Sequence, residues 1–415
     1  MNDRVEMFCL PTGVCLAAAS PCRRVSISVR TGFLLILTAL LLCCGKPEGQ
    51  TTWSGPSKVA VVVPHSGPLM KEGLMLQLGA QMAIQDARGQ SPDLPVEMVA
   101  YDSPCDAVGA IAVAERIVTD ESVCAVVGYL CAESLDAVLP IYRKTDLALI
   151  NPTVSAEYIR RDRSRHLFPL LYGDGDQAAF LAVYASKGLG LTRLAVISDK
   201  STYGKILGGS FRAEAERLGV ALVEDLSVNP NPEEVAQGVK LLKDASPEGI
   251  FLASEPRAAS MFLIELHSQH VGALLLGPDQ LGELEFYEMA GQTAEGLLVC
   301  QSILFETGDS KETAFASQFE LLYKRRPDWI AAAGYEGMRL TLEVLKRSGP
   351  GRTAFLRTIR AISGPDTAFK GLSGPVFFRK DGTSRRPLYV AEIHQGWLRP
   401  AKPPTVEFPV NYSKQ

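Results

Sequence analysis

Lys58 to Gly73, KVAVVVPHSGPLMKEG, is the stretch that decides the fold. Val59 to Val63 is an apolar run of strand length, and Ser66-Gly67-Pro68 supplies a turn directly after it. The run follows an export signal. Arg23, Arg24 and Arg30 precede an apolar segment, Phe33 to Leu42, that ends in Cys43-Cys44-Gly45-Lys46. That segment is far short of the roughly 20 residues that span a bilayer, so residues 1–43 read as a signal peptide. Exported chains that open on such a strand and turn usually bind something small.

Leu41-Leu42-Cys43-Cys44 is similar to the bacterial lipobox, and Cys44 fits the acylated first mature residue better than Cys43, which would place Leu42 at the small-residue position. The expected location is therefore periplasmic or extracytoplasmic, with a lipid anchor at Cys44; the alternative is plain secretion with cleavage nearby. The whole chain has 415 residues and a net charge of −4, and residues 1–43 hold more basic than acidic side chains, so the mature part is more acidic still. Such a balance gives no support to a nucleic-acid partner. The mature length exceeds one ordinary domain of about 100 to 200 residues, and two lobes are expected.

From Lys58 onward strands and helices alternate. Strands are expected at Val59–Val63, Val96–Tyr101, Cys124–Tyr129 and Ala148–Asn151, with helices at Met75–Ala87, Ala107–Thr119 and Leu135–Lys144. After Tyr172-Gly173-Asp174-Gly175-Asp176 a second series begins: helices Gln177–Lys187, Ile206–Arg217, Pro232–Ala245 and Ala258–Gln269, and strands Arg193–Ser198, Ala221–Ser227, Ile250–Ala253 and Ala273–Gly277. An extended segment at Gly296–Ser302 leads to long helices at Lys311–Arg325 and Trp329–Arg347, which must return to one lobe, and Gly374–Phe378 with Lys380-Asp381-Gly382 reads as a late strand and hairpin turn. Alternation of this kind means right-handed βαβ units. The fold class is α/β, two doubly wound parallel-sheet lobes with a cleft at the carboxyl ends of both sheets.

Five cysteines remain after the signal, at 44, 105, 124, 131 and 300. Along one strand Cys124 and Cys131 would lie roughly 20 Å apart, too far to bridge. Cys105 and Cys131 each follow a strand by a few residues, so in parallel neighbours they reach the same edge, and a disulfide is expected between them. Two unpaired buried thiols are the alternative. Cys124 and Cys300 sit in apolar runs and read as core residues.

The segments Val59–Gly73, Tyr101–Cys105, Gly128–Cys131, Asn151–Ser155, Asp199–Gly204, Gly277–Asp279 and Gly371–Gly382 resemble, in order, those of the leucine/isoleucine/valine-binding proteins. These are periplasmic binding proteins of type I fold that serve branched-chain amino-acid ABC transporters. The resemblance spans essentially the whole mature chain. It implies the same Cys105 to Cys131 bridge, a monomer that works with ABC permease subunits, and three crossovers near Leu170–Gly175, Val299–Ile303 and Lys370–Val376. Lobe 1 is then 57–171 and 302–371, and lobe 2 is 172–301 and 372–403.

The resemblance also implies a site for an amino acid or related small polar ligand. Ala132 stands where the family has a serine that holds the ligand carboxylate; its N–H remains, and Ser134 is a substitute donor, while Glu133 faces solvent or, if turned inward, repels an anion. The Thr153 carbonyl accepts from the ligand ammonium, and Ser155 offers a hydroxyl and an amide, unless it only caps the following helix. Tyr203 covers the ligand from the second lobe, unless it only packs, and Asp279, one methylene shorter than the family's glutamate, pairs with the ammonium, the alternative being a solvated loop residue or cap. Glu72 replaces an aromatic of the side-chain pocket and Glu255-Pro256-Arg257 replaces another, so the pocket is expected to be more acidic than a leucine site, with Lys71 or Arg257 as internal partners.

An enzyme is not expected. The chain has no Gly-x-Ser-x-Gly elbow, Walker loop or His-Glu-x-x-His motif. His267 and His270 lack a third ligand, so no metal or other cofactor is expected, and His65 lies at the cleft rim. The competing readings are a sensor lipoprotein and a degenerate relative with a partner-binding role.

Overall fold

The computed structural model describes residues 56–155, 157, 165–305 and 310–402. The signal segment and Cys44 lie outside them. The opening strand, β1 (Ser57–Val63), is central in a five-stranded sheet with β2 (Val96–Asp102), β3 (Val123–Gly128), β4 (Ala148–Asn151) and β5 (Leu167–Pro169), in the order β2-β1-β3-β4-β5. Every pairing in it is parallel. Val59 to Val63 are all wholly buried, because helices cover both faces of a parallel sheet. On one face Val59, Val61 and Val63 pack with α1 (Met70–Gln90) and later helices; on the other Ala60 and Val62 pack with α2 (Ala107–Thr119) and α3 (Ala132–Arg143).

The second sheet has the order β15-β14-β10-β9-β8-β6-β7. Its parallel part is β6 (Arg193–Asp199), β7 (Ala221–Val228), β8 (Gly249–Ala253), β9 (Leu274–Gly277) and β10 (Leu298–Gln301). One face carries α4 (Asp174–Val183), which ends in a wider turn at Tyr184–Gly188, and α5 (Thr202–Leu218); the other carries α6 (Pro232–Ala245), α7 (Pro256–Ser268) and α8 (Leu284–Ala290). The hairpin β14 (Tyr389–His394) and β15 (Trp397–Pro400) extends this sheet antiparallel to β10.

Helices α9 (Lys311–Tyr323), α10 (Trp329–Ser348) and α11 (Arg352–Arg360) return to the first lobe. Gly79 and Gly334 let α1 and α10 touch backbone to backbone, since a Cβ on Gly79 would overlap the Ala331 carbonyl and one on Gly334 the Leu76 carbonyl.

The first two crossovers fall where expected. Leu170 packs in the first lobe's core and Tyr172 in the second's, while Cys300 packs in the second and Ile303 beside Met75 and Phe315. The third does not. Short strands β11 (Phe369–Lys370), β12 (Pro375–Phe378) and β13 (Ser384–Arg385) form a separate three-stranded sheet, and Val376 and Phe378 bury in the first core, with Phe378 edge-on to Phe168 at 5.1 Å. The expected crossing at Lys370–Val376, and the assignment of 372–388 to lobe 2, are corrected: the chain enters the second core at Leu388. A buried ion pair marks this point. Arg386 meets Glu336 of α10 at 3.0 Å with both side chains at most 5% exposed, donates to the Leu170 carbonyl at 3.3 Å, and Glu336 accepts from Leu372 N at 2.6 Å.

Candidate ligand-binding cleft

The carboxyl ends of β3 and β4 build the first wall. At Gly128 the chain turns with φ 137°, where a Cβ would strike the Val62 carbonyl, and Tyr129 follows at φ 61°. Cys131 is bonded to Cys105, with Cα atoms 5.5 Å apart, and α3 begins at Ala132. The Ala132 N–H therefore belongs to the first helical turn, whose amides have no intrahelical acceptor. Ser134, in the same turn, is 2% exposed, and its Oγ has no hydrogen-bond partner among the described residues. Glu133 is exposed, as expected.

Asn151 joins this turn to the next loop. It is wholly buried; its amide donates to the Gly128 and Tyr129 carbonyls at 2.7 and 2.6 Å, and its carbonyl accepts from Val154 N at 2.7 Å and Thr153 N at 3.3 Å. One side chain thus joins two loops at the sheet's carboxyl edge. Thr153 Oγ1 is buried without a partner among the described residues. Ser155 Oγ lies 3.4 Å from a Glu157 carboxylate oxygen and also bonds to Asp174. Glu157 in turn accepts from the N–H groups of Asp174 and Gly175 at 2.9 and 3.2 Å, so the first lobe caps the opening turn of α4 in the second.

The second wall is a cage around Asp279, which follows β9. Its Oδ1 accepts from Gln177 Nε2 at 3.1 Å, Tyr203 Oη at 3.2 Å and Gln280 N at 2.9 Å; its Oδ2 accepts from Tyr172 Oη at 2.6 Å. Gln177 Oε1 accepts from Asp279 N at 2.8 Å, and Gln301 Nε2 donates to the Asp279 carbonyl at 3.0 Å. A carboxylate offers about four lone-pair sites, two per oxygen. Oδ1 is saturated, and Oδ2 keeps room for one more donor. Ser201 caps α5 by accepting from Gly204 N at 2.9 Å, and Asp199 ties that loop to Glu255 N at 2.9 Å, which places Tyr203 at the head of α5.

Electrostatics follow from burial and from Asp279. Burial, then the Asp279 charge, pushes the Asp174 carboxyl up to about 7, while the Ser155 hydroxyl pulls the other way. Burial and the same charge hold the Tyr172 and Tyr203 phenols well above their ordinary value, so both stay protonated as donors.

The structure thus brings Tyr203 and Asp279 into contact and sets Ala132, Ser134, Thr153 and Ser155 on two adjoining loops. Glu72 lies in the first turn of α1, with one buried carboxylate oxygen unpartnered among the described residues. Glu255 and Arg257 are exposed at the start of α7, and no ion pair among the described residues joins Glu72 to Lys71 or Arg257. His65 is exposed, with its ring on Gln77 Oε1 at 2.8 Å. No group of three or more candidate metal ligands occurs among the described residues.

Sequence reasoning missed Tyr172, Gln177 and Gln301, which reach Asp279 from elements far away in the chain, and the stapling role of Asn151. The only available signal was the placement of Tyr172 and Gln177 around the expected lobe crossing.

A profile of the periplasmic binding protein family matches residues 56–396. The leucine-, isoleucine-, valine-, threonine- and alanine-binding protein of Pseudomonas aeruginosa is 24% identical over 294 residues, 70% of this chain and 78% of that one. Among solved structures, the ABC transporter substrate-binding protein of Desulfitobacterium hafniense in complex with Leu has a TM-score of 0.70 at 20% identity, covering 83% of this chain and 99% of that one. A solute-binding protein of an ABC transporter from Rhodopseudomonas palustris in complex with 3,4-dihydroxybenzoic acid has a TM-score of 0.64 at 18% identity, covering 82% and 94%. Neighbours of one fold thus hold chemically different ligands.

Proposed function

Since the chain belongs to the periplasmic binding protein family, we propose that it is an extracytoplasmic solute-binding protein that captures an amino acid or related small polar ligand between its lobes and delivers it to an ABC importer. The observation that carries this reading is the pairing of walls: Ser134 and Thr153 hydroxyls without partners on one lobe, and a caged carboxylate with one open acceptor site on the other. The family's location is outside the cytoplasm.

In this reading the ligand carboxylate takes the Ala132 N–H, with Ser134 and Ser155 as hydroxyl donors. Its ammonium meets the Thr153 carbonyl and Asp279 Oδ2, Tyr203 covers it, and Glu72 faces its side chain. A ligand that touches both walls stabilises the closed arrangement over the open one, which is what permease subunits can read. The protein acts as a monomer held at a bacterial membrane by acylated Cys44.

Titration calorimetry with a panel of amino acids tests the site. Asp279→Ala and Ser155→Ala are each expected to weaken the best ligand by about 1 to 3 kcal/mol, the loss of a hydrogen bond to a charged group. Unchanged affinity in both moves the site elsewhere. Mass spectrometry of the membrane fraction should find an acylated peptide beginning at Cys44, and an unmodified one removes the anchor.

A further inference from the structure

We propose that the cleft continues past Asp279 into a cation-binding subsite, a cavity of about 390 Å³ lined by Glu283, Asp328, Trp329, Phe305 and Trp397, and that the ligand ends there in an ammonium or guanidinium group. This rests on the solute-binding reading and names the class of solute.

The cavity adjoins the site already described. Gln301, which donates to the Asp279 carbonyl, lines it, as do Gly282 and Glu283 at the end of the turn that Asp279 begins. Its walls come from both lobes: Glu283 and Trp397 belong to the second, Asp328 and Trp329 open α10 of the first. A ligand reaching it from Asp279 would therefore touch both.

Three carboxylates, Glu283, Asp328 and the exposed Glu320, and one cation, Arg326, line it, so the lining carries net negative charge. The Glu283 side chain makes no hydrogen bond or ion pair among the described residues, and Asp328 accepts from Ala331 N at 2.8 Å as the cap of α10. Lys71 is exposed, and among the described residues it is in ion-pair contact with neither. Burial pushes Glu283 up to about 8, with Asp328 and Asp279 adding to the rise, and burial also raises Asp328, while the more distant Lys71 charge pulls both the other way. Half-buried carboxylates close enough to repel one another are stabilised by a cation placed beside both. An aliphatic leucine side chain offers nothing to this pair.

The aromatic wall fits the same ligand. The Arg326 guanidinium, itself part of the lining, sits over the Trp397 ring, 4.8 Å from its centroid, a pairing that matches a planar cation to this wall, and Trp329 and Phe305 are further aromatic lining. Apolar walls lower the local dielectric and strengthen the attraction between the carboxylates and a cation. An amine or guanidinium tail several bonds from the α-carbon meets these requirements together.

Titration calorimetry of the purified protein with L-leucine, L-lysine, L-arginine and 1,5-diaminopentane tests the proposal, with Glu283→Gln and Asp328→Asn as variants. Asparagine keeps the helix cap, and melting curves of both variants check the fold. The expected result is that at least one cationic probe binds ten times or more tighter than leucine and loses about tenfold in each variant. Leucine binding as tightly as every cationic probe overturns the cation subsite and leaves the solute-binding reading standing. A cation preference that survives both substitutions overturns its assignment to this cavity. Binding of none of the four overturns the amino-acid reading as well.

Discussion

The two walls of the cleft are built from different material. The first lobe presents backbone and hydroxyl groups on two loops stapled by Asn151, and the Ser134 and Thr153 hydroxyls there have no partner among the described residues. The second presents the Asp279 carboxylate, which Tyr172, Tyr203, Gln177 and Gln280 already surround, with the buried Asp174 close by. The first wall is preorganised by main-chain geometry with its donors free; the second is preorganised by side chains that spend most of its acceptors. In the proposed function, recognition of a ligand's constant part rests mainly on the first wall, and discrimination on the second and on the cavity proposed beyond it.

Breaking the staple should have the largest effect. Asn151→Ala leaves two buried carbonyls and two amides without partners, and chemical denaturation should show a loss of about 4 kcal/mol, at the upper end for a single substitution. A loss under about 1 kcal/mol would mean that the first wall holds its shape without Asn151.

On the second wall, Asp174 sharpens the contrast through pH. Its carboxyl titrates at about 7 in the fold against 3.8 when free, so the folded state binds the proton more tightly. Its favourable contribution is complete below about pH 4 and is lost as pH rises towards 7. Asp174→Asn should therefore gain stability relative to the parent between pH 4 and 8, by on the order of 3 kcal/mol. Parallel stability curves for the two proteins across that range would remove Asp174 from the buried, charge-repelled position assigned to it.

The Cys105 to Cys131 bridge closes a loop with a sequence separation of 26 and fixes the turn before Ala132. Replacing both by alanine should cost about 3 kcal/mol, since a crosslink of this span mainly restricts the unfolded chain. Ligand affinity should fall with it if the first wall depends on that turn, and calorimetry of the double variant separates the two effects. Tyr203→Phe is the mildest probe. It removes one of three donors on the saturated oxygen of Asp279, so a stability change of about 1 kcal/mol is expected in thermal melts. A change above 3 kcal/mol would show that the cage acts as a unit.

Much of the fold was legible because its signals are local. Helices Ala107–Thr119 and Pro232–Ala245 and the strand Ala148–Asn151 lie at the residues expected, the two helices being preceded by the capping residues Asp106 and Asn231. Apolar runs covered on both faces and amphipathic helices with caps mark themselves in sequence. Helix Arg352–Arg360 and the hairpin Tyr389–Pro400 escaped notice. The helix is short and rich in arginine. The hairpin is identified as part of the second sheet only by pairing with β10, which lies some ninety residues earlier.

By itself the sequence determined two α/β lobes, the series of strands that carries them, and which loop residues stand at the strand ends. Each of these depends on side-chain pattern over a few neighbouring positions. Tertiary structure alone decided that Val376 and Phe378 serve the first core, that Tyr172 and Gln177 meet Asp279, and that Glu283 and Asp328 share one cavity. Gln177 and Asp279 are 102 residues apart. Contacts at such separations are set by how sheets and helices pack, and a carboxylate's burial, which fixes its charge and hence its ligand, has no signature in the residues beside it.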